Sequence, residues 1–208
     1  GWIAPLDPDA SCQLPGLVAV ADCISSCYTP EQELLFPDGY KPIVEAVEKR
    51  FKKIVTLSND ATLDSPTLME NYVESYSEEL SADVKNNVIE FELEDGRSIK
   101  VTENHPLLNA EGKMLQASEF KQGDSLVDVS GDLIRINKLS SSLYTGKVYN
   151  VKPVSKFKDG DLVLNSQIVV VNGILSGSSY FQNDGYKYLK DAIHSLMISD
   201  PLGEENEL

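Results

Sequence analysis

Apolar and polar residues alternate along most of the middle of the chain. The clearest run is NVIEFELEDGRSIKVT at 87–102, where the alternation continues on both sides of Asp95-Gly96. Alternation with a period of two predicts strands that bury one face, and Asp-Gly is typical of a tight turn between two strands. The segment 87–102 is therefore predicted to be a β-hairpin.

Shorter apolar runs bounded by turn residues predict further strands on both sides of this hairpin. They cover 17–21, 33–43, 51–58, 105–117, 118–127, 132–139, 146–154, 162–164 and 167–175. From Pro42 onward, the 33–43 unit continues either as a second strand or as a short helical turn. The body of the chain, from 27 to about 179, is thus predicted to be almost entirely β.

Three other segments have a different pattern. Residues 1–26 have little periodicity and are predicted to form an irregular lead-in. The stretch 59–85 is polar and acidic, which predicts a surface excursion with a helix at 67–76. Tyr186, Leu189, Ile193 and Met197 have helical spacing, so a short helix is predicted near the C-terminal end.

Charge narrows the classes of partner. The 208 residues include 18 Lys and Arg against 33 Asp and Glu, a formal net charge of −15. Such a field repels phosphates, so neither nucleic acid nor an anionic membrane surface is expected as a partner. No apolar stretch approaches the roughly 20 residues that span a bilayer. The chain begins at Gly1 rather than Met and is expected to be a monomeric fragment of a longer protein, with its compartment left open.

The three cysteines, Cys12, Cys23 and Cys27, all lie near the start of the sequence. The spacing CISSC is neither a CxxC motif nor half of a zinc site, and with only His105 and His194 available no metal site is expected. A single cysteine is often a small buried hydrophobic residue. The alternative is a nucleophile that pairs in space with a histidine.

Several segments together resemble the Hint fold of inteins, bacterial intein-like domains and hedgehog autoprocessing domains. They are CYTPEQELLFPDGYKPI at 27–43, the T-x-x-H at 102–105, MLQASEFKQGD at 114–124, VYNV at 148–151 and VNGIL at 171–175. The resemblance implies an all-β, horseshoe-like domain of short strands and hairpins. It also implies three parts: a flanking, extein-like segment at 1–26, a Hint-like domain at 27–179 and a helical tail at 180–208.

The resemblance also implies a reaction at the Ser26–Cys27 bond. Cys27 is expected to attack the Ser26 carbonyl in an N-to-S acyl shift that gives a thioester. His105 is the expected general acid because its ordinary pKa lies near neutrality. Thr102 would hydrogen-bond the carbonyl or fix the backbone, and Asn104 would add a donor.

The substrate would then be the protein's own flanking polypeptide. Water or an external nucleophile would accept the acyl group, and no cofactor is needed. Zinc would be expected to inhibit by capturing the thiolate. Cys27 is preferred over Cys23 because the strand residues beginning at Glu33 follow it at the family's spacing, and a disulfide between the two cysteines could act as a redox latch.

The candidate C-terminal junction departs from splicing inteins, which end in His-Asn. Gly177 and Ser178 occupy the matching positions, Ser179 follows, and a serine has no amide nitrogen with which to cyclise. Asn150 and the Asn165-Ser166 pair also replace an aspartate and a histidine-containing turn of the family. Cleavage or transfer at the N-terminal junction without full splicing is therefore expected. The alternatives are an inactive Hint domain used as a structural or binding module, a mini-intein with an atypical junction, and a thiol hydrolase that turns over.

Overall fold

The computed structural model describes residues 18–20 and 26–181, and strands dominate these parts. The strands are β1 Val18–Val20, β2 Glu33–Phe36, β3 Gly39–Pro42, β4 Lys53–Leu57, β5 Leu68–Glu78, β6 Lys85–Leu93, β7 Ser98–Thr102, β8 Pro106–Leu108, β9 Met114–Gln116, β10 Ser125–Val127, β11 Leu133–Thr145, β12 Tyr149–Pro153, β13 Lys156–Lys158, β14 Asp161–Val163, β15 Ile168–Val171 and β16 Ile174–Gly177. The helix α1 spans Ile43–Lys49, and single 3₁₀ turns occupy Ala117–Glu119, Leu164–Gln167 and Ser179–Phe181. The predicted all-β fold is confirmed.

The strands form three sheets. A ten-stranded sheet follows the order β1-β5-β4-β15-β16-β8-β9, with β12 also paired to β5 and with β2 paired to β15 and β3. A second sheet has the order β10-β11-β6-β7, and β13 and β14 form a two-stranded ribbon. Tyr28 forms single bridges to Val101 of β7 and to Tyr149 of β12, so it joins the two larger sheets.

The hairpin predicted at 87–102 is confirmed as β6 and β7. Gly96 in its turn has a φ of +87°, a conformation that glycine adopts without a steric penalty. A second tight turn, at Asn172-Gly173, joins β15 to β16, with φ values of +48° and +80°. Phe91 and Leu93 of β6 are buried on either side of the exposed Glu92, in agreement with the apolar and polar alternation of the sequence.

The helix predicted at 67–76 is wrong, because this segment is the strand β5. Glu70, Glu74 and Glu78 are four residues apart, a spacing that also suits a helix face. Each carboxylate instead forms an ion pair with a lysine of a neighbouring segment. The pairs are Glu70–Lys53 at 3.6 Å, Glu74–Lys152 at 2.7 Å and Glu78–Lys147 at 3.8 Å. The strand is therefore an inner member of the large sheet, paired with β4 on one side and with β12 on the other.

The remaining expectations have mixed outcomes. The strand predicted at 17–21 is confirmed as β1, and the helical alternative after Pro42 is correct, since α1 begins at Ile43. Residues 1–17, 21–25 and 182–208 lie outside the described part. The irregular lead-in and the C-terminal helix therefore stay predictions. Among the described residues, no helix has the length and apolar character needed to cross a bilayer.

Two clusters of buried side chains form the core. The larger one includes Tyr28, Val101, Tyr149 and Val151. Fully burying an aliphatic or aromatic side chain of this size contributes about 1.5–3 kcal/mol. Tyr28, the residue that follows Cys27, is thus part of the larger core cluster.

Candidate active site

The peptide bond between Ser26 and Cys27 lies inside the protein. Ser26 and Cys27 are each 3% exposed. The next residue is fixed on both sides of its backbone, since the Tyr28 N–H donates to the Tyr149 carbonyl at 2.7 Å and the Tyr149 N–H donates back at 2.9 Å. This bond is therefore held in a fixed position away from bulk water.

Thr102, the last residue of β7, holds the nitrogen side of this bond. Its Oγ1 accepts a hydrogen bond from the Cys27 N–H at 2.8 Å, and its own N–H donates to the Cys27 carbonyl at 3.0 Å. Asn104, which was expected to add a donor, accepts the Thr102 hydroxyl on its Oδ1 at 3.0 Å, and its role as a donor stays a prediction. Asn104 thus turns a lone pair of Thr102 toward the Cys27 N–H.

Asn150 holds the carbonyl side. It lies on β12, is fully buried, and donates from Nδ2 to the Ser26 carbonyl. Its Oδ1 accepts the Val151 N–H at 2.8 Å, which fixes the direction of the amide. The sequence interpretation counted Asn150 as part of a lost C-terminal machinery, whereas it contacts the N-terminal junction. The signal available in the sequence was a polar residue placed between the apolar residues Tyr149 and Val151 of a predicted strand.

His105 lies on the same side of the domain as Cys27, three residues beyond Thr102. It is fully buried, and its backbone N–H donates to the Thr102 carbonyl at 3.0 Å. The centre of its ring is 4.2 Å from that of the Tyr28 ring. Nε2 is 2.8 Å from Ser176 Oγ. Nδ1 has no hydrogen-bond partner among the described residues. The Ser26 backbone lies close enough to the imidazole to favour its protonated form.

Burial controls the charge state of this site. It lowers the pKa of His105 to about 3, and the nearby Ser26 carbonyl offsets only a small part of that shift. Burial also raises the pKa of Tyr28 above its usual range, so its phenol keeps its proton. The imidazole and the phenol are consequently both neutral at pH 7, in an environment where hydrogen bonds to developing charge are strong.

The low pKa of His105 predicts a loss of stability in mild acid. The unfolded ring takes up a proton below about pH 6.5, but the buried ring does not, so acid favours the unfolded chain. The contribution is complete above that pH and falls by up to about 1.4 kcal/mol per pH unit below it. Urea unfolding between about pH 5 and pH 7 should show a steeper loss for the parent chain than for His105→Gln. An equal fall of the unfolding free energy with pH in the two chains would contradict the lowered pKa of His105.

The candidate C-terminal junction contacts the residue that follows Cys27, since the Tyr28 hydroxyl donates to the Gly177 carbonyl at 3.4 Å. The Ser178 N–H donates to the Gln167 carbonyl at 2.9 Å, and its hydroxyl donates to Gln167 Oε1 at 2.8 Å. A Cβ on Gly177 would lie 2.7 Å from Pro106, so only glycine fits there. Ser179 is also buried. The Ser178 hydroxyl is thus bound to a neighbouring side-chain amide.

Two further expectations concern a metal site and a disulfide latch between Cys23 and Cys27. Within residues 18–20 and 26–181, no three His, Cys, Asp or Glu side chains come close enough to bind a metal ion. Cys12, Cys23 and His194 lie outside the described residues, and so does any latch between Cys23 and Cys27.

Comparison with known proteins identifies the same fold. The sequence model of the pretoxin HINT domain family matches residues 34–174. The structure is similar to a bacterial intein-like domain from Clostridium thermocellum, with a TM-score of 0.55, 18% identity, and coverage of 73% of this chain and 98% of that one. No curated protein sequence matches the chain significantly.

Two inteins are similar in structure at comparable levels. The DnaB intein from Synechocystis sp. PCC 6803 gives a TM-score of 0.56 at 14% identity, covering 74% of this chain and 99% of the intein. The gp41-1 intein gives 0.52 at 18% identity, with 74% and 98% covered. At these identities the likeness establishes the fold. The family match itself includes Thr102, His105 and Asn150, and it begins after Cys27.

Proposed function

This chain belongs to the pretoxin HINT domain family, and on that premise we propose that it cleaves its own backbone at the Ser26–Cys27 bond through a thioester. The observation that carries the proposal is the set of contacts on that one buried bond. Thr102 holds its nitrogen, Asn150 holds its carbonyl, and His105 lies next to both.

The first step is attack of Cys27 Sγ on the Ser26 carbonyl carbon. An amide resists such attack because resonance stabilises it, so the oxygen needs stabilisation as it gains negative charge. Asn150 Nδ2 already donates to that oxygen and would stay bonded to it. Because the amide is buried and fixed by Val151, this donor requires no reorganisation as the charge develops.

The second step breaks the bond between the Ser26 carbon and the Cys27 nitrogen. In total, one S–C bond forms, one C–N bond breaks, and the thiol proton ends on the nitrogen. His105 is the imidazole that mediates this proton transfer, and its low pKa makes the protonated ring a strong donor toward the departing amine. Thr102 keeps the nitrogen in place, and such positioning contributes several kcal/mol.

The thioester is then resolved by water or by an external nucleophile, which releases the segment that precedes Cys27. Ser178 lacks an amide nitrogen and its hydroxyl is held by Gln167, so the C-terminal junction is not cut. The product is an N-terminally cleaved protein that starts at Cys27. Each molecule reacts once, on itself.

Intact-mass measurement of an N-terminally tagged chain, with and without dithiothreitol, tests the proposal. We expect thiol-dependent release of the tag together with residues 1–26, a remaining chain that starts at Cys27, and no third product. An uncut chain would favour an inactive structural module. A ligated product lacking the central domain would indicate splicing, and repeated cleavage of an added peptide would indicate a hydrolase. Each of these three results would overturn the proposal.

A further inference from the structure

We propose that the edge of β5 at 76–78 recognises the polypeptide that this domain cleaves, by taking residues 18–20 of the flanking segment as an added strand. The proposal rests on the proposed function for its consequence, while its evidence comes from a separate part of the fold. β1 pairs in parallel with β5, and it belongs to the segment that cleavage at the Ser26–Cys27 bond would remove. The register pairs Val18 with Tyr76, Ala19 with Ser77 and Val20 with Glu78.

The recognised edge lies beyond the end of β4. On one edge of β5, β4 pairs only with the residues from Leu68 to Tyr72. The other edge is taken by β12 as far as Glu78, so among the described strands β1 is the one that pairs with the first edge at 76–78. Tyr76 and Ser77 are each 4% exposed. Loss of β1 would therefore leave main-chain donors and acceptors of a buried strand without partners.

The main-chain groups of β5 point alternately to its two edges. The Glu79 N–H donates to the Val148 carbonyl at 3.1 Å, so Glu79 faces the β12 side. The register with β12 is regular from Glu78 back to Tyr76. Ser77 therefore also faces β12, whereas Tyr76 and Glu78 direct their N–H and carbonyl groups toward β1.

Ala19 is the residue of β1 that this edge holds. It lies between Tyr76 and Glu78 in the parallel register, so its N–H is matched to the Tyr76 carbonyl and its carbonyl to the Glu78 N–H. The main-chain groups of Val18 and Val20 are directed away from β5. Recognition through the main chain selects an extended segment and tolerates many side chains. The substrate class is thus an extended polypeptide with a free N–H at residue 19.

The same strand connects β1 to the bond that is cut. Ser77 lies opposite Ala19 on one side and opposite Asn150 on the other, and Asn150 donates to the Ser26 carbonyl. Neighbouring strands are about 4.8 Å apart, so β1 lies about 10 Å from the strand that carries Asn150. The flanking segment is thus fixed at two nearby points, Ala19 and Ser26. Such positioning of the acyl group speeds an intramolecular attack.

Amide hydrogen exchange, followed by NMR in the full chain with Cys27→Ala to prevent cleavage, tests the docking. We expect the Ala19 and Glu78 amides to exchange at least about tenfold more slowly than amides that face water. Ala19→Pro should remove this protection from Glu78 and leave it at Ser77, whose N–H faces β12. Val18→Pro is the matched control, because its missing N–H faces away from β5, and Glu78 should stay protected.

Cleavage provides the second readout, in chains that retain Cys27. Ala19→Pro should slow thiol-dependent release about fivefold to tenfold, the effect of losing one hydrogen bond of the ladder. Val18→Pro and Ala19→Val keep the N–H of residue 19, so both should react at the parent rate. If Ala19→Pro does not fold, the triple variant Val18→Gly/Ala19→Gly/Val20→Gly takes its place. Because glycine weakens a strand, we expect it to expose the Glu78 amide and to slow release.

The outcomes separate this proposal from the proposed function. Rapid exchange of the Glu78 amide in the Cys27→Ala chain, or equal release rates in Ala19→Pro and Val18→Pro, would overturn the recognition even if the chain cleaves itself. Slow exchange that Ala19→Pro removes, in a chain that never cleaves, would support the docking of the flanking segment and overturn the proposed reaction.

Discussion

Replacing Cys27 with alanine should stop thiol-dependent release of the N-terminal segment. The substitution removes the sulfur and leaves Thr102, Asn150 and His105 in place. Without a nucleophile on the residue after the Ser26 carbonyl, no thioester can form, and release should fall by at least about a thousandfold. Intact-mass time courses in dithiothreitol measure the effect.

Cys27→Ser and Cys23→Ala are the controls for this result. Serine keeps a weaker nucleophile at the same position, so cleavage should be slow but detectable. Cys23→Ala should release the segment at the parent rate. Release that persists in Cys27→Ala, or that disappears in Cys23→Ala, would contradict the assignment of the nucleophile.

Asn150→Ala should slow the acyl shift by about 10²–10³-fold, the usual effect of removing one donor to a developing oxyanion. The side chain donates to the Ser26 carbonyl from inside the domain, where water cannot replace it. The first-order rate of tag release, measured at several dithiothreitol concentrations, separates this step from resolution of the thioester. An unchanged rate in a folded Asn150→Ala would rule out the donor role.

Asn150→Asp is the matched variant, because it keeps the acceptor that holds the Val151 N–H and changes the donor. An ionised carboxylate facing the Ser26 carbonyl would repel the developing charge. Burial raises the pKa of such a carboxyl, and only its protonated form can donate. Cleavage by Asn150→Asp should therefore increase as the pH falls. A rate equal to that of the parent at every pH would contradict this explanation.

The sequence predicted the parts of the site that are local in the chain. Thr102 and His105 share one short motif that directly follows a clear hairpin, and Cys27 lies at a fixed distance before a strand. The structure brings these residues together, while their chemical roles remain predictions. The hairpin itself was predictable because its alternation comes from neighbouring residues alone.

Asn150 and Ser176 could not be assigned in the same way. Asn150 meets Ser26 across 124 positions, and Ser176 meets His105 across 71. Asn150 lies in the VYNV segment at 148–151, but that segment does not show which residue its side chain meets, and Ser176 lies in none of the motifs. Both contacts exist only after the sheets have paired. The wrong helix at 67–76 has the same origin, since the partners that make β5 a strand come from β4 and β12.

The account depends most directly on a thioester at Ser26, and hydroxylamine can trap it. This reagent attacks thioesters readily and leaves ordinary amides intact under mild conditions. The N-terminally tagged chain is incubated with hydroxylamine, and the released fragment is sequenced by mass spectrometry. The account predicts a fragment that ends in a hydroxamate on Ser26, formed once per chain and absent from Cys27→Ala. An intact chain, a cut at another bond, or a Ser26 carboxylate without hydroxamate would contradict it.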